Sequence, residues 1–502
     1  MGAATNVMQG CEPAEVWSNF ERLSQLPRPS KHEARVQEFL KDFAAQRKLK
    51  HSQDKAGNIV IFRPGSGGGG KAPPVIIQGH IDMVTEKDSG VEHDFFKDPI
   101  KLQRSGDWLQ ATGTTLGADN GLGVAAALAL LSQPQSAKLP PLECLFTVDE
   151  ETGLTGAFDL DASMLTGRTM LNLDTEDWGE IFIGCAGGGD SEISLTAALE
   201  PAPAYGFNSF EVQVSKLMGG HSGLNIGEDR GNAIIIAAQV TDSLMTSVKG
   251  TRLAEIRGGD KRNAIPREAC ATLLVPSQQT EEVRRVFDKC AAAFRDEFGS
   301  LEKDMSITLN SGSAAMSMRD ESSVQLLNLL CTLPHGVVKY SHDVPGLVET
   351  STNLASVKLQ APTHTGPLAA HVTYSIVCCT RSSLMPALEN VRQRIAKTAR
   401  LCGASIALDK AYPGWKPCTT SKVLDLTKSV IGAITGQQPK VGAIHAGLEC
   451  GIIGEKIPGI DMVSYGPTIK GAHSPQERVL ISTVQPFWQA TVQILQRLAD
   501  AS

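Results

Sequence analysis

The chain has 502 residues, of which 41% are hydrophobic and 20% are charged, so it can form two or three domains with sizeable cores. Its formal net charge of -7 argues against nucleic acid as a partner, because binding to a phosphate backbone requires a basic surface. The longest apolar stretch, residues 122–131, is much shorter than a membrane span, so no membrane partner is expected.

The cysteine pattern indicates a reducing compartment. The chain contains eleven cysteines, scattered and without a CxxC pair, which is typical of buried, reduced thiols. Polar residues such as Asn6, Gln9 and Glu12 interrupt the first twenty residues, so no hydrophobic core of a signal peptide is expected there. We therefore expect a cytoplasmic protein.

Helical periodicity predicts two helices within residues 14–46, with a break near Ser30, which is a candidate N-cap for the second helix. A glycine-rich turn follows at residues 65–70. Together with Lys71 it has the spacing of a phosphate loop, but Ala72 stands where Ser or Thr would hold magnesium. A strand rather than a helix comes next, so a turn is favoured over a nucleotide site.

Short buried runs predict the parallel strands of an α/β layer, at residues 75–77, 142–148, 170–173 and 462–465. In such sheets, ligands collect at the carboxyl ends of the strands. Candidate ligands follow these strands or open the helix at residues 122–131: His80, Asp119, Glu151, Asp174 and His473. We expect these distant residues to meet at one edge of the sheet.

The middle of the chain has a different pattern, in which a β-α-β-α order occurs twice. Strands are predicted at residues 210–214, 269–275, 306–309 and 371–378, and helices at residues 232–244, from 281, 324–330 and from 384. We predict a catalytic domain with a mainly parallel sheet, formed by residues 1–187 and 404–502. An α+β domain with internal duplication, residues 188–403, is inserted into it.

The candidate ligands are imidazoles and carboxylates without any cysteine, a set that suits zinc or manganese. Asp119 has two carboxylate oxygens and can bridge two cations. We expect His80 and Asp174 on one metal ion, and Glu151 and His473 on the other. Isolated histidines and acids are usually core residues or solvated loops, but five at the ends of apolar runs favour a metal site.

Glu150 has no ligand role beside Glu151 and is the candidate general base, which takes a proton from water and passes it to the leaving amine. Nearby cations would lower its pKa and desolvation would raise it, so the direction stays open. Asp82 lies two residues after His80 and can accept the other ring N–H, which fixes the tautomer. Asp149 is a third acid in the row and leaves the register uncertain.

Six stretches resemble the M20 family of metallopeptidases, and within it the dipeptidases: residues 79–84, 116–121, 149–156, 179–188, 262–267 and 443–451. The resemblance runs from about Val16 to the C-terminal helix. It implies two divalent metal ions, zinc before manganese or cobalt, bound by the five candidate ligands, with Glu150 as proton carrier. It also implies a cis peptide bond after Asp119.

The resemblance further implies that the inserted domain is a lid that also forms a homodimer. His221 is similar to the lid histidine that stabilises the oxyanion, although a turn histidine between glycines is the alternative. Asn263 and Arg381 are similar to substrate-binding residues, with Arg381 gripping the free carboxylate or, alternatively, lying on the surface. Glu449 or Asp149 could receive the free amine.

The expected function is hydrolysis of dipeptides with free termini, of the Xaa-His type or with broad specificity, by a metal-bridged hydroxide with Glu150 as base. The substrate would be a small peptide. An M20 aminoacylase or carboxypeptidase, acting on N-acyl amino acids or longer peptides, is the alternative. A metal-binding protein without turnover is less favoured, and a structural assembly protein is the least favoured.

Overall fold

The computed structural model describes residues 7–360 and 370–500. The chain forms two compact units: the first is Met1–Cys185, Trp415–Ala443 and Leu448–Ser502, and the second is Ala186–Gly414 and Ile444–Gly447. A compact unit is defined by its internal contacts, whereas a domain folds by itself. The domain limits at 187/188 and 403/404 therefore stay a prediction.

The helices of the described residues are α1 (Ala14–Ser24), α2 (Ala34–Gln46), α3 (Ala118–Leu131), α4 (Glu150–Gly153), α5 (Thr155–Asp159), α6 (Ala233–Ser247), α7 (Thr280–Phe298), α8 (Asp320–Thr332), α9 (Met385–Leu401), α10 (Lys422–Thr435), α11 (Glu449–Lys456) and α12 (Ile481–Leu498). Within the described part of the chain, no helix has the length and apolar character needed to cross a bilayer.

The strands are β1 (Lys50–Gln53), β2 (Ile59–Arg63), β3 (Val75–His80), β4 (Leu102–Ser105), β5 (Trp108–Ala111), β6 (Leu142–Thr147), β7 (Thr169–Asn172), β8 (Glu180–Cys185), β9 (Gly187–Pro201), β10 (Phe207–Ser215), β11 (Gly220–His221), β12 (Arg252–Gly258), β13 (Ala264–Ile265), β14 (Ala269–Pro276), β15 (Ser306–Ser311), β16 (Met316–Met318), β17 (Gly336–Tyr340), β18 (Val348–Gln360), β19 (His371–Ser382), β20 (Ser405–Leu408), β21 (Lys440–Ile444), β22 (Asp461–Ser464), β23 (Ile469–Lys470) and β24 (Arg478–Leu480).

The first unit is built on an eight-stranded sheet in the order β1-β2-β6-β3-β7-β22-β8-β21. Its centre is parallel: β3 pairs with β6 and β7, and β7 pairs with β22. These are the four strands that the buried apolar runs predict, and their parallel arrangement is confirmed. Every residue of β3 and β6 is buried, because helices and loops cover both faces of a parallel sheet.

Helix α3 lies in the core of the first unit. Its Ala- and Leu-rich sequence is apolar on all sides and is buried from Asn120 to Leu131, as expected for a helix surrounded by protein. It packs against α1 and against β3. Successive side chains of a strand point to opposite faces of the sheet. Ile77 of β3 and Leu171 of β7 belong to the same hydrophobic core as α3. This core fixes the start of α3 beside the carboxyl end of β3.

The second unit is built on a ten-stranded sheet whose central order is β15-β10-β14-β12-β18-β19-β9-β16. The pairs β10–β14, β18–β19 and β19–β9 are antiparallel, which gives an α+β unit with helices α6 to α9. Asn232 caps α6, since its side-chain oxygen accepts from the N–H of Ile234 at 3.0 Å. The internal duplication and the lid role stay predictions.

Ser30 does not cap the second helix. Helix α2 begins at Ala34 without a side-chain cap, and Ser30 Oγ instead donates to Asp82 Oδ2 at 2.8 Å. A serine before an apolar periodic run is typical of an N-cap, but a buried carboxylate distant in the sequence is here the stronger acceptor.

Candidate metal centre

All five predicted metal ligands lie in the first unit, and four of them follow strands. His80 ends β3, Glu151 lies in α4 directly after β6, and Asp174 follows β7. His473 lies in the loop between β23 and β24, and Asp119 opens α3. The structure therefore brings these residues together at the carboxyl ends of the parallel strands, where ligands of such sheets collect.

Asp119 stands between the two histidines. Its Oδ1 is 3.0 Å from His80 Nε2, and its Oδ2 is 3.2 Å from His473 Nε2. Asp174 Oδ1 lies 3.5 Å from His80 Nε2, and Glu151 Oε2 lies 2.9 Å from His473 Nε2. The five side chains thus form two groups, each with one imidazole and one carboxylate, and the two groups share Asp119.

The residues fit a divalent cation. His80, Asp119 and Glu151 each offer one ligand atom, and these atoms lie within 4.8 Å of one another. Asp174 Oδ1 is buried and has no hydrogen-bond partner among the described residues. A buried carboxylate oxygen without a partner is costly, and a cation would satisfy it. The imidazole and carboxylate set suits zinc, manganese or cobalt.

The electrostatics of the cluster also favour a cation. Burial raises the pKa of Asp174 to about 7 and that of the neighbouring Glu176 to about 8. Burial also raises the pKa of Glu151, and the Asp119 carboxylate adds to this shift. For Asp119 burial acts in the same direction, but hydrogen bonds from His473 and His80 hold its pKa below the ordinary value. Crowded acids of this kind are stabilised by nearby positive charge.

Asp82 is fully buried and forms hydrogen bonds with several residues of the cluster. Its Oδ1 is 3.2 Å from His80 Nδ1, so an Nδ1–H donor leaves Nε2 free to act as a ligand. The same carboxylate accepts from the N–H of Glu150 at 3.1 Å and from the N–H of Glu151 at 3.2 Å. Asp82 therefore orients one candidate ligand and also anchors the first turn of α4.

Replacing Asp82 by asparagine should lower metal affinity or turnover by about 10–100-fold, the usual effect of losing the partner of a ligating histidine. Competition with a chromophoric chelator would measure the affinity. Asp461 is a suitable control, since its Oδ2 accepts from the N–H of Val423 at 3.1 Å and it starts β22, at the opposite end of the sheet. An Asp82→Asn protein with wild-type metal affinity and turnover would contradict this role.

The acids that follow β6 have different surroundings. The Asp149 carboxylate accepts from the hydroxyls of Thr152 and Thr155, so it is satisfied within its own loop. Its N–H donates to Glu33 Oε1 at 3.0 Å. Burial raises the pKa of Glu150 well above its ordinary value; His80 opposes this shift, and nearby carboxylates such as Asp174 add to it. Within this cluster, desolvation raises the pKa of Glu150 more than the His80 imidazole lowers it.

Glu449 is the first residue of α11 and is 1% exposed. Its Oε2 accepts from Gln78 Nε2 and from Thr147 Oγ1, both at 2.6 Å. Its Oε1 is buried without a hydrogen-bond partner among the described residues. Burial raises the pKa of this carboxyl to about 8. Of the two candidates for the substrate amine, Glu449 has one oxygen without a partner among the described residues, whereas both oxygens of Asp149 accept hydrogen bonds.

The other predicted site residues, His221, Asn263 and Arg381, lie in the second unit. His221 Nδ1 accepts from the N–H groups of Gly223 at 3.2 Å and Leu224 at 3.1 Å, which places a proton of the neutral ring on Nε2. The Asn263 carbonyl accepts from the N–H of Ser222 at 2.8 Å.

Arg381 is 7% exposed and donates from Nη1 to Tyr412 Oη at 3.1 Å. The alternative of a surface arginine is therefore wrong. Its Nε is buried and has no hydrogen-bond partner within the described ranges. A buried guanidinium requires acceptors, so this side chain suits an anionic ligand.

Two buried charged residues next to the cluster, Arg28 and Glu477, are not among the predicted site residues, and both are 2% exposed. Arg28 Nη1 donates to the carbonyls of Ile81 at 3.0 Å and Asp82 at 2.8 Å. Nothing in the local pattern predicts this, because Arg28 stands between two prolines in a stretch that is typical of a break between helices. The sequence indicates only that the Arg28 side chain is long enough to reach a partner elsewhere in the chain.

Comparison with known proteins identifies the family of the chain. Residues 76–498 match the model of Peptidase family M20/M25/M40. The chain belongs to this family. The resemblance of its motifs to M20 peptidases is thus confirmed, and the cis peptide bond implied after Asp119 is present between Asp119 and Asn120.

Two relatives of this M20 peptidase match almost end to end. It is 35% identical over 490 residues to the Cytosol non-specific dipeptidase of Escherichia coli (strain K12), which covers 97% of this chain and 98% of the relative. It is 36% identical to the Aminoacylhistidine Dipeptidase from Vibrio alginolyticus, whose crystal structure matches with a TM-score of 0.87 over 98% of each chain. A tripeptidase from Staphylococcus aureus, 16% identical, shares the fold with a TM-score of 0.60 over 97% of this chain and 98% of that one.

Proposed function

We propose that this M20 peptidase is a metal-dependent dipeptidase that hydrolyses dipeptides with free termini. The observation that carries the proposal is the position of Asp119 between two imidazole–carboxylate groups. The names of the two full-length relatives, which are both dipeptidases, support the substrate class. One name specifies aminoacyl-histidine and the other is non-specific, so both an Xaa-His preference and broad specificity belong to the proposal.

The metal ions would be held by the residues of the two groups. His80 and Asp174 would bind one divalent ion, Glu151 and His473 the other, and Asp119 both. Zinc is the favoured ion, before manganese and cobalt. When bound, such a pair of ions polarises a carbonyl group and makes a water molecule more acidic.

Glu150 would act as the general base. In this role its carboxylate takes a proton from the attacking water and gives it to the nitrogen of the leaving amine as the C–N bond breaks. Burial and the neighbouring acids raise the pKa of Glu150, which makes it a better proton acceptor than an exposed glutamate. Asp82 supports this role through its hydrogen bond to the N–H of Glu150.

The remaining residues would bind the substrate. We assign the free amine to Glu449, whose Oε1 is buried without a partner among the described residues, and the free carboxylate to Arg381 with Asn263. His221 would donate from Nε2 to the oxyanion, since its Nδ1 accepts two backbone N–H groups. A cytoplasmic location and a homodimer complete the proposal, supported by free cysteines and by the family resemblance.

Chelation followed by metal add-back tests the proposal. Prolonged chelation should abolish the hydrolysis of free dipeptides, and zinc, manganese or cobalt should restore it. The panel should include β-alanyl-histidine, other dipeptides, N-acyl amino acids and tripeptides, with kcat/KM measured for each. Activity that survives thorough chelation would overturn the metal-dependent mechanism. Higher kcat/KM on N-acyl amino acids or longer peptides would favour the aminoacylase or carboxypeptidase alternative.

A further inference from the structure

A single buried carboxylate holds the segment that leads into Asp119. The Glu477 side chain accepts from consecutive backbone N–H groups: Oε2 from Leu116 at 2.7 Å and Gly117 at 2.8 Å, and Oε1 from Ala118 at 2.7 Å and Asp119 at 3.2 Å. Gly117 has a φ of +71°, the left-handed conformation that turns successive N–H groups toward one point. Such concave backbone sites usually bind external anions, and here the protein fills the site with its own carboxylate.

The same segment is held on its carbonyl side by Arg28. The guanidinium donates from Nη2 to the Gly117 carbonyl and from Nη1 to the carbonyls of Ile81 and Asp82. Glu477 in turn lies four residues after His473, and its own N–H donates to the Ser474 carbonyl at 3.0 Å. Arg28 and Glu477 therefore connect the chain segments that carry His80, Asp119 and His473.

We infer that Glu477 is a positioning residue that sets the metal affinity of the centre by fixing the backbone of Asp119. This inference rests on the proposed metal site. Asp119 faces His80 with one oxygen and His473 with the other, so a small rotation of its backbone would move both oxygens away from their partners. A carboxylate that accepts from the N–H of Asp119 itself restricts this rotation.

Replacing Glu477 by glutamine should disturb the hydrogen bonds to the backbone N–H groups without removing the side chain. Its amide has one oxygen, and its NH₂ group would face backbone N–H groups that also donate. Buried donors would then be left without acceptors, and the segment would shift to satisfy them. We expect Glu477→Gln to weaken the binding of zinc by about 10–100-fold, the range found when groups that orient metal ligands are changed.

Glu143 offers a matched control in the same unit. It is 5% exposed, and its carboxylate accepts from the N–H of Thr166 at 2.9 Å and the N–H of Gly167 at 3.0 Å. It lies near the start of β6, whereas the metal centre lies beyond the end of that strand. Glu143→Gln should therefore reduce thermal stability while the dissociation constant for zinc stays at the wild-type value.

The experiment measures the zinc dissociation constant of the full-length wild-type, Glu477→Gln and Glu143→Gln proteins by competition with a chromophoric chelator. Circular dichroism reports folding, and if Glu477→Gln does not fold, Glu477→Asp is measured in its place. The same zinc affinity in the Glu477 variant and the wild type would overturn the inference. So would an equal loss in Glu143→Gln, which would indicate general destabilisation. A wild-type protein that binds no divalent ion would instead overturn the proposed function on which the inference rests.

Discussion

Replacing Glu150 by glutamine is expected to lower kcat by about 10²–10⁴-fold, the usual contribution of a general base, while the protein keeps its metal ions. Glutamine has nearly the same shape as glutamate but cannot accept the proton of the attacking water. The N–H of residue 150 would still donate to Asp82 Oδ1, so the first turn of α4 should stay in place. KM should change little, since the proposed role of Glu150 lies in proton transfer and not in binding.

The adjacent residue is the natural comparison for this experiment. Glu151 Oε2 is 2.9 Å from His473 Nε2, and its side chain is 3% exposed. Glu151→Gln should lower the metal content of the purified protein, whereas Glu150→Gln should leave it unchanged. Elemental analysis and single-turnover kinetics on a dipeptide would separate the two effects. Wild-type turnover in Glu150→Gln would show that another group carries the proton.

The parallel sheet and the position of the candidate metal centre could be predicted from the sequence, because both depend on local patterns. Buried runs with few polar residues identify central strands, and the residue after each strand must lie at its carboxyl end. Once these strands are placed, His80, Asp174 and Glu151 have few alternative positions. The meeting of distant residues thus follows from topology without any knowledge of long-range contacts.

The buried polar partners could not be predicted, since each depends on a contact between distant parts of the chain. Ser30 has the sequence pattern of a cap, but its acceptor, Asp82, is 52 residues away. Glu477 binds backbone groups as far as 361 residues away, and no periodic pattern marks backbone N–H groups as ligands. Gly117 indicates only that the backbone is closely packed here, because a Cβ at this position would collide with the Arg28 guanidinium.

The exposure of individual charged residues could not be predicted from the sequence either. Arg381 comes after the predicted strand at residues 371–378, and a surface position and a buried one are equally compatible with this pattern, whereas in the structure it lies within β19. In the structure this side chain is buried, at 7% exposure. In the sequence, Asp149 and Glu449 are equivalent candidates for the amine. Threonine hydroxyls satisfy Asp149, and one oxygen of Glu449 lacks a partner among the described residues.

The second large effect is expected at Asp119. Asparagine has a single, uncharged side-chain oxygen, so it cannot bridge two cations and is a weaker ligand than a carboxylate for either one. Asp119→Asn should therefore weaken the binding of both metal ions and reduce kcat/KM by more than about 100-fold, the upper range for residues that only orient a ligand. Circular dichroism should remain that of the wild type, because α3 is held by its apolar core contacts.

Comparison with Asp174→Asn and Glu151→Gln gives this prediction its specificity. Asp174 pairs with His80 at 3.5 Å and Glu151 pairs with His473 at 2.9 Å, so each of these two variants should lose one metal ion and keep the other. Titration of apoprotein with zinc should then show one strong site in Asp174→Asn, one in Glu151→Gln and none in Asp119→Asn. If Asp119→Asn also retained one strong site, the carboxylate would be a ligand of one ion and the two-group arrangement would need a different bridge.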